Sequence, residues 1–173
     1  MATRKSVEVD IFTTTHRIEG SVFPGTHGLF SYLNMPTESY IEVLDGEISP
    51  LHMVSKSTEA IGNIWLVKKE IVAVLVANRA GLGTSSAVRA GYTKPFPHFI
   101  RVLVGGFDIF GMIQAGGRFD FGAVMFEGSN AFVPLFDTKL VAILFPNARA
   151  EAPALAFNRE LVEALYLHPA EGG

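Results

Sequence analysis

The chain of 173 residues has no cysteine, which excludes disulfide staples, thiolate metal sites and cysteine nucleophiles. Charge is scarce as well. Only 18% of residues are Asp, Glu, Lys or Arg against 49% hydrophobic, a balance too apolar for a disordered chain. A basic excess is missing: fourteen Lys and Arg against seventeen Asp and Glu give a net charge of −3, which removes the usual electrostatic footprint of a nucleic-acid binder. There is no apolar run of bilayer length either. The longest stretch without charge, residues 20–37, is broken by Pro24, Gly25, Gly28, Asn34 and Pro36 and cannot be an unbroken spanning helix. The opening MATRKSVEVD has basic residues but no apolar segment of secretory length behind them. These absences predict a cytoplasmic protein with no membrane span, folded as one or two compact units.

What the chain does contain is a repeat. Shifted by 91 residues, VEVDIFTTTHRIEGSV (7–22) falls on HFIRVLVGGFDIFGMI (98–113), so that Ile18 meets Ile109, Gly20 meets Gly111 and Val22 meets Ile113. One residue further on, IEVLDG (41–46) meets VPLFDT (133–138), with Asp45 on Asp137 and Ile48 on Leu140. At a shift of 90, VKKEIVAVLV (67–76) meets FNRELVEALY (157–166), pairing Lys69 with Arg159 and Ile71 with Leu161. Three blocks in the same order at nearly constant offset predict an internal duplication.

Residues 78–97, NRAGLGTSSAVRAGYTKPFP, are rich in Gly, Ser, Thr and Pro and read as a connection. The expected organisation is a first small domain over 1–77, a linker over 78–97 and a second domain over 98–173. Apolar runs are short, β-branched or aromatic, and bounded by Gly, Pro, Asn or Asp, which is strand punctuation. Strands are predicted at 7–13, 16–23, 39–44, 47–54, 62–67 and 71–76, repeated by the offset. The Asp45-Gly46 pair predicts a tight hairpin. Leu29, Tyr32 and Leu33 have helical spacing and predict one short helix per copy. The segment 158–165 has the look of a capped helix, but its β-branched repeat partner makes it a strand. Gly20 and Gly111 are expected where a Cβ would not fit, and Pro134 at an edge or bulge. The fold class is therefore all-β, as two tandem barrel-like domains, each with one short helix.

Two resemblances follow from these residues. RIEGSV, a short helix ending at Leu33-Asn34, then YIEVLDGEI and LVKKEIVAV are similar to a family of small bacterial domains of unknown function. In that family an aspartate closes a strand and an L-V-N-[KR]-x-x-I-V-x-V strand pair closes the domain. That likeness implies no activity. More loosely, a hairpin, a second strand carrying a glycine and a terminal pair joined by the basic turn Lys68-Lys69-Glu70 resemble Sm-like (SH3-like) small barrels, which implies ring assembly and RNA binding. This chain departs from the pattern in its acidic balance, and Asn158-Arg159 replace Lys68-Lys69 in the second copy.

Candidate chemistry is sparse. The loop over 80–86 is glycine-rich but lacks the lysine of a phosphate-binding GxxxxGK[ST]. His16, His27, His52, His98 and His168 contain no i, i+4 pair and no HExxH. There is no GxSxG elbow, and Thr13-Thr14-Thr15 reads as turn chemistry. An RxxxR pair and a [DN]-x-S-x-x-G loop, needed by a PilZ-like cyclic-dinucleotide barrel, are both missing. Glu19, Glu42, Asp45 and Glu47 could neighbour one another as an acid/base set, although alternating strands usually turn such residues to solvent. Lys68, Lys69 and Arg79 form the one modest basic cluster, the candidate contact for nucleic acid. No metal site and no cofactor are predicted.

The halves differ in one respect. Before Phe96 there are three phenylalanines and after it ten, whereas charges run nine bases and nine acids through residue 96 against five and eight beyond. A 70-residue barrel has few inward positions, so Phe119, Phe121, Phe126 and Phe132 are the candidate interface. The function predicted is a non-enzymatic assembly or protein-interaction module, homo-oligomeric, with a second protein as a further partner. The rival readings are an Sm-like nucleic-acid binder and a small-molecule sensor with a pocket between the copies.

Overall fold

The computed structural model describes residues 4–53, 58–83 and 96–169. Alternating apolar residues at Val9, Ile11, Ile18 and Val22 place β1 (Val7–Thr13) and β2 (His16–Val22) in an antiparallel hairpin with Ile11 opposite Ile18. The Thr13 hydroxyl accepts from the backbone N–H groups of Thr15 and His16 at 3.3 and 3.1 Å, closing that turn. Helix α1 (Leu29–Leu33) then buries Leu29, Phe30 and Leu33. Strands β3 (Tyr40–Pro50), β4 (Glu59–Val67) and β5 (Ile71–Val76) complete the first half, the last two separated by a 3-10 turn over Lys68–Glu70. After the short α2 (Arg79–Leu82), the second half repeats the order: β6 (Phe96–Val104), β7 (Phe107–Ala115), α3 (Phe121–Phe126), β8 (Phe132–Ala142), β9 (Arg149–Asn158) and β10 (Val162–Leu167). Most of the expected linker, residues 84–95, and Val54 lie outside the described residues.

The hairpin predicted at Asp45-Gly46 is not there. β3 runs straight through the pair, and Asp45 takes φ 50° while the register to β4 shifts around Gly46. A left-handed residue serves a bulge as well as a type I′ turn, so the two expected strands are one bent strand. Asp137 repeats this with φ 51° inside β8. The segment after Asn158 is one 3-10 turn, Arg159–Leu161, followed by strand β10. Pro134 lies in β8 opposite Ala156 of β9; the ladder from β8 to β7 ends at Met112–Phe136, so the proline sits where β8 is paired on one side only.

All ten strands form one antiparallel sheet in the order β10-β6-β7-β8-β9-β5-β1-β2-β3-β4. It does not close on itself. The expectation of two separate barrels is thereby corrected: β5 and β9 join the halves, with Ala73 opposite Phe157, Val74 opposite Ala156, Leu75 opposite Leu155 and Val76 opposite Ala154. The reason is visible in β5, whose six residues IVAVLV are all apolar and all buried, the pattern of a strand covered on both faces.

Pairings recur between the halves. Ile11–Ile18 returns as Val102–Ile109, Ser21–Leu44 as Met112–Phe136, Ile41–Leu66 as Val133–Phe157 and Ile11–Val74 as Val102–Leu165. These matches put β1, β2, β5 and the C-terminal part of β4 at an offset of 91 and β3 at 92. The third sequence block is one residue off the register expected: Lys68, not Lys69, answers Arg159, and Ile71 answers Val162. Among the described residues no helix is long and apolar enough to cross a membrane.

Candidate functional site

The β5–β9 junction draws the two cores together. Phe12, Leu51, Val72, Ala73 and Leu75 leave the first half to pack in the second half's cluster with Phe107, Leu155 and Phe157. In return, Phe132, Ala154 and Ala156 pack with Val9, Ile11, Phe30 and Ile71. The rings of Phe12 and Phe107 meet edge to face at 5.5 Å. Polar contacts fasten the rim: the Asn34 side-chain oxygen accepts from the Phe132 N–H at 2.8 Å, and its amide donates to the Phe132 carbonyl at 3.3 Å. Arg79 reaches Asp137 at 3.0 Å and lies over the Phe136 ring.

Among the described residues the two outer strands lack such cover. β4 exposes Ile61, Trp65 and Val67, Trp65 at 62%; β10 exposes Tyr166 and Leu167 at 44% and 51%. Tyr40, at the start of β3, is 52% exposed, and Ile143 in the turn after β8 is 51% exposed. Sequence reasoning missed these residues. For β10 a signal was available in the contrast between IVAVLV, apolar throughout, and LVEALY, the segment aligned with it in sequence, which carries Glu163.

The four phenylalanines singled out from the sequence do not share one surface. Phe121 and Phe126 are exposed and contact each other edge to face at 6.0 Å on α3, Phe126 at 73%. Phe119 is half-buried against the second core and beside the His98 ring. Phe132 is fully buried, packed in the first half's cluster, so it serves the contact between halves.

The basic trio is likewise dispersed in role. Lys68 is buried and its Nζ donates to the carbonyls of Tyr32 and Met35 at 2.8 and 3.1 Å, capping the end of α1. Burial pushes this amine below its ordinary value, opposed by the charge of Glu38, and pushes the Tyr32 hydroxyl up. Arg159 performs the same task for α3, donating to the carbonyls of Val124, Glu127 and Gly128 at 3.1, 2.7 and 2.9 Å. Arg79 is held by Asp137, and Lys69 alone of the three is exposed with no hydrogen-bond or ion-pair partner for its side chain among the described residues.

Acids are similarly employed. Glu19 lies opposite Glu47 and 3.7 Å from Arg17, Glu42 accepts from Asn63 at 3.1 Å, and Asp45 forms the bulge. One pair stands out by its symmetry. Asp10 takes Arg17 in two bonds of 2.9 and 2.7 Å, and at the corresponding positions of the second half Arg101 binds Asp108 with the charges exchanged. The hydrogen bond to Asp10 first, and its charge, raise the Arg17 guanidinium's affinity for its proton; Asp108 does the same for Arg101. Among the described residues no three His, Asp or Glu side chains cluster as metal ligands. Open depressions of about 390 and 670 Å³ lie along the N-terminal segment, lined by Lys5, Gly25 and Thr26, within the first half. No protein-family model, curated protein or solved structure matches this chain.

Proposed function

We propose that this chain is a non-enzymatic assembly module whose partner is another copy of itself, built from two copies of one ancestral unit. The observation that carries the first part is the set of large apolar side chains left exposed on the outermost strands β4 and β10. The counterparts of Trp65, Tyr166 and Leu167 at the β5–β9 junction, Ala156, Leu75 and Val76, are buried. Exposed contiguous apolar edges mark interaction surfaces in soluble proteins. The second part is supported by the shared strand order and register, and by the exchanged Asp10–Arg17 and Arg101–Asp108 pairs. A charge reversal compensated across two strands keeps the contact while erasing the sequence identity.

Light scattering tests self-association. The purified protein is expected to have a mass above that of one chain at micromolar concentration, since a stable contact buries on the order of 800 Å² per partner. A clean monomer overturns the proposal. Phe126→Glu, at the exposed end of α3, is expected to reduce the mass while leaving the far-ultraviolet spectrum unchanged.

A further inference from the structure

We infer that copies join head to tail, β4 of one molecule adding to β10 of the next in the register by which β9 meets β5 within the chain. The inference rests on the self-association proposed above and names its geometry. Each half of the sheet has the same order, with the fifth strand outermost, then the first, second, third and fourth. Inside the molecule, the fourth strand of the second half pairs with the fifth strand of the first. What remains free at the two ends is the same pair of edges: the fourth strand of the first half, β4, and the fifth strand of the second, β10.

At four places the ends carry apolar groups where the junction buries them, with Glu163 in the place of Val72 as the charged exception. Tyr166 and Leu167 occupy the places of Leu75 and Val76, Trp65 that of Ala156, and Tyr40 that of Phe132. At the junction these positions are all buried; at the ends all are exposed. The α3 end follows suit. Lys68 caps Tyr32 and Met35 as Arg159 caps Val124 and Glu127, which sets Phe126 in the place of Asn34. Asn34 holds Phe132 across the junction, so Phe126 would meet Tyr40 of the next copy, an aromatic pair in place of a polar one. Residues 61–67, IGNIWLV, contain no charge, and none of the lysines or prolines that blunt a free edge strand is present there.

Transferring the junction register gives Ala164 opposite Leu66, Leu165 opposite Trp65, Tyr166 opposite Ile64 and Leu167 opposite Asn63 of the neighbour. Such a contact is heterologous, so the chain of copies closes as a ring if the rotation permits and continues as a filament otherwise.

The absence of native cysteine makes cross-linking the direct test. Directly opposed strand residues bring Cα atoms to about 4.5–5.5 Å, within disulfide reach. Trp65→Cys and Leu165→Cys chains, co-expressed and oxidised, are expected to give a covalent dimer, whereas neither variant alone does. The two substitutions in one chain should give a ladder of dimers, trimers and larger species. Asn63→Cys with Leu167→Cys probes the same register with Trp65 retained, should loss of the indole itself disperse the assembly. A single variant cross-linking to itself, or no mixed dimer from either pair in a protein that light scattering shows to be oligomeric, overturns this pairing and leaves self-association standing. A monomeric wild type overturns both.

Discussion

Gly20 and Gly111 show how one missing atom sets the path of a strand. A Cβ at Gly20 would lie 2.5 Å from Val43 Cγ1 and 2.7 Å from the Leu44 carbonyl; at Gly111 it would lie 2.6 Å from Leu135 Cγ and 3.0 Å from the Phe136 carbonyl. Both glycines sit where the register to the next strand shifts. Backbone cannot give way as a flexible side chain can, so Gly20→Ala and Gly111→Ala should each cost about 1–3 kcal/mol of stability, measured by urea unfolding. The exchanged ion pairs yield a second prediction. Arg101→Asp alone opposes Asp108, but Arg101→Asp with Asp108→Arg recreates the arrangement the first half already uses. The double variant should recover most of what the single loses; the coupling is roughly 0.5–1 kcal/mol for a pair that is only partly buried. Lys68 supplies a pH signature. Its amine is held below the ordinary 10.5 by burial, so between the folded value and 10.5 the unfolded chain holds more protons on this residue than the folded one. Stability of the wild type relative to Lys68→Met should therefore rise with pH across that window. A flat difference would remove the burial explanation.

At the scale of elements, β5 and β9 decide whether the halves behave as one body. Leu75 and Leu155 face each other in one cluster while Val74 and Ala156 face the other, so neither core is complete without both strands. Leu155→Ala should cost about 2–5 kcal/mol and move a single calorimetric transition; two resolved transitions would mean that the halves unfold separately. The strands themselves were legible in the sequence, because β1 and β5 follow from their apolar runs to the residue, as does α1 to within one. The offset of the first two blocks was also readable. Three things were not. A positive φ at Asp45 is compatible with a turn or a bulge, and only strand pairing on both sides of β3 distinguishes them. The third block slipped by one because Glu70 on Glu160 is a persuasive identity within a 3-10 turn, where side-chain pattern carries little register. The burial of Phe132 depends on β9 pairing with β5, which brings the first half's cluster and Asn34 against it, a long-range fact that alternation along one strand cannot encode. The exposed apolar residues were less readable still: Phe121 and Phe126 were singled out by composition, whereas the exposure of Trp65, Tyr40 and Tyr166 follows only once β4 and β10 are known to be the outermost strands.

At the scale of the whole molecule, an open sheet with two complementary edges should make stability depend on concentration, because association stabilises the folded chain by mass action. The chain provides its own reporter. It has one tryptophan, and that residue, Trp65, stands 62% exposed on the β4 edge. In the head-to-tail pairing its indole takes the place of Ala156 and packs over the neighbour's second core, away from water. Emission excited selectively from tryptophan should therefore be blue-shifted in concentrated solution and move to the red on dilution, as the melting temperature falls in parallel. Leu165→Lys puts a charge opposite Trp65 on the partner edge and leaves the indole itself unsubstituted; Leu165 is half-buried against the second core, and an unchanged far-ultraviolet spectrum checks that the fold is kept. That variant should emit at the red position at every concentration. If instead its emission follows the wild type throughout the dilution series, Trp65 does not meet Leu165 in any assembly the protein forms, and the edges must be covered in another way.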